Sequence, residues 1–235
     1  MPVVDILREL ESLGSPQTVK TYRRHGAEGE MYGVKISDLK KLVKRVKGNH
    51  ALVLELWDTQ NSDAMYLAAL AADGREFTRK QLDGWARTAW WYMLSCYAVP
   101  YVAAEHPAAF GIAQKWMKAR AESVASAGWN TYALALAVRP DSELDFAVIQ
   151  ERLDFVQASI DSAANRVRYC MNGFVISVGC YVEPLLRSAQ NTAQAIGQVQ
   201  VDLGDTACRV PLAVDAIDKV VQMGRVGRKR KSTKC

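Results

Sequence analysis

The 235-residue chain reads as all-α, a solenoid of stacked antiparallel helix pairs, on three observations. Apolar residues return at helical spacing in one segment after another. The segments are short and separated by turns of about two to six residues, the length that makes consecutive helices antiparallel neighbours. One stretch alone, 198–211, loses the helical period.

The elements follow in order. Asp5-Ile6-Leu7 opens a short amphipathic helix that runs to Leu13. Ser37 is placed to cap a helix with Leu39, Leu42, Val43 and Val46 on one stripe and Lys40, Lys41, Lys44, Arg45 and Lys47 on the other. Gly48-Asn49 ends it and starts the next, which runs to about Trp57. Ser62 caps a helix whose Ala68, Ala69 and Ala72 permit close packing, stopped at Asp73-Gly74. Thr78 and Gln81 have the spacing of a capping box ahead of Leu82, Trp85 and Ala89. Pro100 kinks or ends the helix of Trp90, and His106-Pro107 starts another that holds Trp116 and Met117. Further helical patterns cover about 121–137, 141–157 and 163–180, and a last one runs from Leu212 to Met223. Val199-Gln200-Val201-Asp202-Leu203-Gly204 alternates like a strand or extended edge. Roughly a dozen short helices indicate an α-solenoid of the HEAT kind, whose concave face is the usual binding surface, although no sequence repeat is visible. Residues 1–223 form one helical domain and 224–235 a basic, disordered tail.

Composition narrows the class. Hydrophobic residues at 49% and charged residues at 23% suit a soluble globular protein, and no apolar run is long enough to span a bilayer. No signal peptide is visible. Five cysteines without a CxxC pair argue against a disulfide framework or a zinc ribbon and fit a reducing, cytoplasmic compartment. Three histidines without ligand spacing imply no metal, and nothing calls for a cofactor.

Charge is unevenly placed. From Gly224 onward the tail holds six basic side chains and no acidic one, so the other 223 residues carry −1 of the net +5. Lys20 to Lys47 holds nine Lys or Arg against three acids. Two such clusters point to a polyanion, nucleic acid above all, as the natural partner. The plainer reading is a solvated tail and an exposed helix face.

Four of the six tryptophans, Trp57, Trp85, Trp90 and Trp91, lie between Leu54 and Val102. On a helix, adjacent Trp90 and Trp91 would leave the axis about 100° apart, so one of them is expected to look out into a groove. The alternative is that both rings fill the core between helices.

These residues carry a resemblance. Tyr32-Gly33-Val34-Lys35-Ile36-Ser37-Asp38-Leu39-Lys40-Lys41-Leu42, then Leu56-Trp57-Asp58, the small-residue run Leu67-Ala68-Ala69-Leu70, and Thr78…Leu82…Trp85…Trp90-Trp91 are similar, in order and spacing, to the DNA alkylation repair family. That family is the AlkD-like group of HEAT-like repeat DNA glycosylases. The likeness covers about residues 30 to 185. The stretch from 198 to Pro211 and the basic end look like a sub-branch feature that the glycosylases do not share.

The resemblance implies a helical body that clamps duplex DNA on its concave face, acting as a monomer. In active members the substrate is a purine alkylated at N3 or N7, and a carboxylate with aromatic walls stabilises the cationic sugar as the base leaves. Here the family's Trp-Trp-Asp-x-x-Asp appears as Trp90-Trp91-Tyr92-Met93-Leu94-Ser95, so Ser95 holds the catalytic position without a charge. The family's Trp-x-x-Arg appears as Trp129-Asn130-Thr131-Tyr132, and its later Gly-Trp as Gly173-Phe174. A hydroxyl cannot replace the lost charge, a deficit worth about 10² to 10³ in rate. Asp58, Asp63 and Asp83 are the substitutes that neighbouring helices offer.

The expected DNA contacts are Trp91, Tyr132 and Phe174 in the groove, Lys40, Lys41, Lys44 and Arg45 on the basic helix, and Arg228, Lys229, Arg230 and Lys231 in the tail. Trp90 is expected in the core. Three readings follow: a protein that recognises alkylated or distorted duplex DNA, an active N-glycosylase for N3- or N7-alkylpurines, and a helical scaffold for protein partners. The basic clusters favour the first two, and the missing Asp favours binding over catalysis.

Overall fold

A computed structural model describes residues 2–234, which form thirteen α-helices and, among the described residues, no strand. They are α1 (Val3–Leu13), α2 (Pro16–Arg24), α3 (Ile36–Val46), α4 (His50–Asp58), α5 (Ser62–Ala71), α6 (Arg79–Thr88), α7 (Val99–Ala103), α8 (Ala109–Met117), α9 (Glu122–Val138), α10 (Phe146–Ser159), α11 (Asn165–Tyr181), α12 (Leu186–Ile196) and α13 (Ala213–Gln222). A π-helical turn, Leu94–Ala98, leads directly into α7. No single described helix is long and apolar enough to cross a membrane.

The helices stack as the all-α reading expects. α5, the π turn with α7, α9, α11 and α13 pack against one another in succession as a continuous row. α3 and α4 lean on α5, α8 on α9, and α12 on both α11 and α13. Sequence explains which helices form the central row. α5 is rich in alanine and buried at all ten positions, and twelve of the seventeen residues of α9 are buried. A helix covered on several sides must be small and apolar nearly all round, whereas flanking helices such as α3 need only one stripe, Leu39, Leu42 and Val46. Gly128 lets α8 and α9 approach: a Cβ there would stand 2.6 Å from the Met117 nitrogen.

Several local expectations are realised and several corrected. Thr78 and Gln81 form the full capping box. α3 starts one residue before Ser37, with Lys35 at the cap and no side-chain cap bond, and Asn61 rather than Ser62 caps α5, accepting from Asp63 and Ala64. α2 was not anticipated, although Ser15 as cap and Pro16 in the first turn are a strong start signal. α6 ends at Thr88, so Trp90 and Trp91 lie in a connection rather than on one helix. The 100° argument therefore does not apply, and their rings lie 20° from parallel with centroids 6.3 Å apart.

The tail departs most from expectation, because it lies against the body. From Gly227 to Lys234 it crosses the C-terminal ends of four helices in turn. Gly227 N donates to Cys180 O (3.0 Å), Arg230 N to Ala137 O (2.7 Å) and Thr233 Oγ1 to Tyr101 O (2.8 Å). Lys229 Nζ donates to Leu136 O (3.0 Å) and Tyr181 O (2.7 Å) and pairs with Asp141 Oδ1 (2.8 Å). Lys234 Nζ donates to Ala72 O and pairs with Glu105 (3.2 Å). Each helix leaves its last carbonyls without intrahelical partners and carries partial negative charge at that end. A basic segment supplies both donors and countercharge, so it acts as a strap along α11, α9, α7 and α5.

Candidate nucleic-acid interface

Pro100 organises the centre of the molecule. It has no N–H to give to the Cys96 carbonyl four residues back, and the helix accommodates its ring with the π turn just before it. Asn130 Nδ2, from α9, donates to that carbonyl instead. The turn and α7 thereby present Tyr97 and Tyr101, one helical turn apart, and α9 presents Asn130 and Leu134 at the same spacing. α11 adds Gly173 and Ile176 on its facing side.

These side chains line a hollow of about 240 Å³, together with Tyr181 and with Arg230 of the strap. A smaller hollow of about 140 Å³ adjoins it, lined by His25, Tyr92, Tyr97, Arg166, Tyr169 and the 203–209 segment, including Arg209. Tyr97 belongs to both, and its hydroxyl meets the Tyr169 hydroxyl at 3.4 Å between them. The Arg166 guanidinium sits 4.0 Å over the Tyr92 ring, a cation–π contact that keeps the charge beside an aromatic face. Burial pushes the Tyr92 hydroxyl up to about 12 and raises Tyr97 further, so both stay neutral phenols at physiological pH. No Asp or Glu is among the residues that line the two hollows.

The 198–211 segment forms the other edge. It holds no described strand; it runs out and folds back, with Gln198 Nε2 donating to Val210 O at 3.2 Å. Asn165 clamps it at Asp202 through bonds of 2.8 and 2.7 Å. Gly204, at φ +78°, lies so close to the end of α2 that a Cβ would stand 2.4 Å from Arg24 O. The segment therefore reaches from the last helices to the second, beside the cleft.

The residues expected in the groove lie behind it. Trp91 is only 6% exposed; its indole donates to His25 O (2.9 Å) and packs on Tyr22, because the chain after α2 covers it. Trp90, expected in the core, is the more exposed of the pair; it donates to Gln60 O and lies against Gly29. Tyr132 and Phe174 are buried and pack on each other with centroids 5.7 Å apart, and burial pushes the Tyr132 hydroxyl up to about 12. Ser95 is buried, its hydroxyl 3.7 Å from Cys96 Sγ. The positions carried over from the family thus fall one or two residues from those that face the cleft: Tyr92 beside Trp91, Tyr97 beyond Ser95, Asn130 before Tyr132, Gly173 before Phe174. The i, i+4 pairs Tyr97–Tyr101 and Asn130–Leu134, and the run Arg166, Tyr169, Gly173, Ile176, were the available signal.

The charged candidates separate in the same way. Lys40, Lys41, Lys44 and Arg45 are exposed on α3, with Lys41 paired to Asp38 and Arg45 to Glu9, and none of them lines the cleft. In the tail, Arg228 and Lys231 are exposed, Arg230 reaches the cleft, and Lys229 is committed to helix ends. The substitute carboxylates are occupied or remote. Asp63 is buried and accepts from the backbone of Tyr32, Gly33 and Val34 at 2.7, 2.9 and 3.1 Å. Burial pushes its carboxyl up, and those N–H groups pull it part of the way back. Asp83 is held by Lys115 and Trp116, each at 2.6 Å, and Asp58 is exposed at the end of α4.

Stacked helix pairs with one aromatic, cationic cleft along their central row define a HEAT-like helical-repeat protein. Comparison with known proteins specifies the family: the family described as DNA alkylation repair enzyme matches residues 6–193, and the chain belongs to it. An uncharacterized protein of Listeria innocua is 36% identical over 217 residues, covering 90% of this chain and 93% of its own. An uncharacterized protein of Listeria monocytogenes is 34% identical with the same coverage. A solved structure superimposes with a TM-score of 0.91 at 33% identity over 100% of both chains. That protein is described as one of a new family related to the HEAT-like repeat DNA glycosylases with affinity for branched DNA structures.

Proposed function

We propose that this protein binds distorted duplex DNA, branched DNA above all, through the cleft between α7, α9 and α11, and does not excise bases. The observation that carries this reading is the cleft lining: tyrosines, Asn130, Arg166, Arg209 and Arg230, with no carboxylate among them. Guanidinium groups attract phosphate, and phenol rings offer stacking faces to bases that have lost a partner. Excision of an alkylated purine calls for negative charge beside the developing sugar cation, and a cleft with several cations and no acid opposes that charge development. The structural neighbour's affinity for branched DNA supports the choice of substrate. The cytoplasm, with its nucleoid, is the compartment that suits such an activity.

The test is binding of the full chain to a four-way junction, a flap and a linear duplex of matched sequence across several salt concentrations. The junction and the flap are expected to bind tighter than the duplex, each with a slope of about 0.9 per phosphate contact. Equal affinity for all three would overturn the preference for branches. On methylated DNA, release of N7-methylguanine or N3-methyladenine is expected to match a no-protein control; release well above it would refute the binding-only reading.

A further inference from the structure

The larger hollow has the features of a receptor for one flat ring. We infer that it takes a single unpaired nucleobase from the branch point, an inference that rests on the DNA-binding reading of the cleft. At about 240 Å³ it lies below the usual range of small-molecule sites, about 300–1,000 Å³, and suits one ring system rather than a whole nucleotide. Tyr97, Tyr101 and Tyr181 give it aromatic walls, and Leu134 and Ile176 add apolar surface.

Its polar groups suit a base edge and a backbone. Asn130 Nδ2 is fixed on the Cys96 carbonyl, which leaves Oδ1 as an acceptor turned toward Gly173. An amide oxygen so placed accepts from an exocyclic amino group. Arg230 lines the same hollow, held there by its own backbone bond to Ala137 O. Arg166, Arg209 and His25 line the adjoining hollow, where the phosphate next to the inserted base would lie.

Gly173 keeps the space open. Glycine inside a helix is less favourable than alanine. At Gly128 and Gly179 the reason is packing, since a Cβ would stand 2.6 Å from a neighbouring helix. At Gly173, as at Gly84 and Gly111, nothing packs: the nearest atom to a Gly173 Cβ is Asn130 Oδ1, at 3.8 Å, and of these three it is Gly173 that lines the hollow. A larger side chain would grow into the hollow without disturbing the core, so Gly173→Trp and Gly173→Leu are plugs.

The experiment places 2-aminopurine at the unpaired position of a bulged three-way junction and follows its fluorescence and the affinity with the full chain. The wild type is expected to change the probe signal on binding. Gly173→Trp and Gly173→Leu, checked for unaltered helical content and melting, are expected to lose about tenfold or more in junction affinity, the scale of one base–aromatic stack. They should keep the affinity for intact duplex. Junction binding undiminished in both plugged variants, or a probe signal that they leave unchanged, would overturn the pocket while the branched-DNA reading stands. Absence of junction binding by the wild type would overturn both. Should Gly173→Trp fail to fold, Gly173→Leu, an ordinary helix former, carries the test alone.

Discussion

The cleft face and the packed layer one residue behind it contain the same kinds of side chain and use them in opposite ways. Behind the face, Trp91, Tyr132 and Phe174 are covered by neighbours, and Lys229 spends its charge on the carbonyl ends of α9 and α11. On the face, Tyr92, Tyr97, Asn130, Tyr169 and Arg166 are partly buried and border two hollows. The difference lies in what sits next to each residue. An indole under the 25–31 connection is core, and a phenol one residue later borders a hollow; a lysine at a helix end is a cap, and the arginine beside it lines the cleft. Aromatic or basic character alone does not separate the cleft face from the layer behind it.

The largest effect that sharpens this contrast is expected from the covered layer. Trp91→Ala and Trp129→Ala remove buried indoles and should each cost about 3–5 kcal/mol in chemical denaturation. Junction affinity per folded molecule should stay near that of the wild type. A Trp91→Ala protein with wild-type stability and lost DNA binding would instead put that indole on the interface.

Removal of residues 224–235 comes next. The strap's ammonium, backbone and Thr233 hydroxyl donors satisfy carbonyls at four helix ends, so truncation should cost about 2–4 kcal/mol and raise hydrogen exchange at the ends of α5, α7, α9 and α11. A truncated protein that melts like the full chain would show that the strap adds nothing to the fold.

Tyr97→Ala probes the face itself. Its loss should weaken junction binding by about 1–3 kcal/mol, the worth of a stacked base, and cost less stability than the indole truncations. If the stability loss were as large as for Trp129→Ala, Tyr97 would belong with the covered set and the distinction would collapse.

The smallest effect runs the other way. Gly173→Ala relieves the helical cost of glycine and adds a methyl to open space, so stability should rise by about 0.5–1 kcal/mol in a thermal melt. A fall in melting temperature would mean that the position is packed rather than open.

Much of the fold was legible in the chain. Apolar spacing, the Thr78–Gln81 box, the basic stripe of α3 and the break at 198–211 fixed most helices, and collinear motifs named the family. Local chemistry suffices there, because helix period and capping depend on residues within about four positions of each other. Three things depended on tertiary structure. Which of two adjacent residues faces the cleft could not follow from period alone, because α6 ends at Thr88 and the π turn before Pro100 shifts the register of the next helix. The role of Lys229 depended on carbonyls 48 and 93 residues away, which no local pattern encodes. The cleft itself exists only where α7, α9 and α11 lie side by side with Gly173 leaving room between them. A helix dictates which of its own residues share a face; only its neighbours decide whether that face is buried or open.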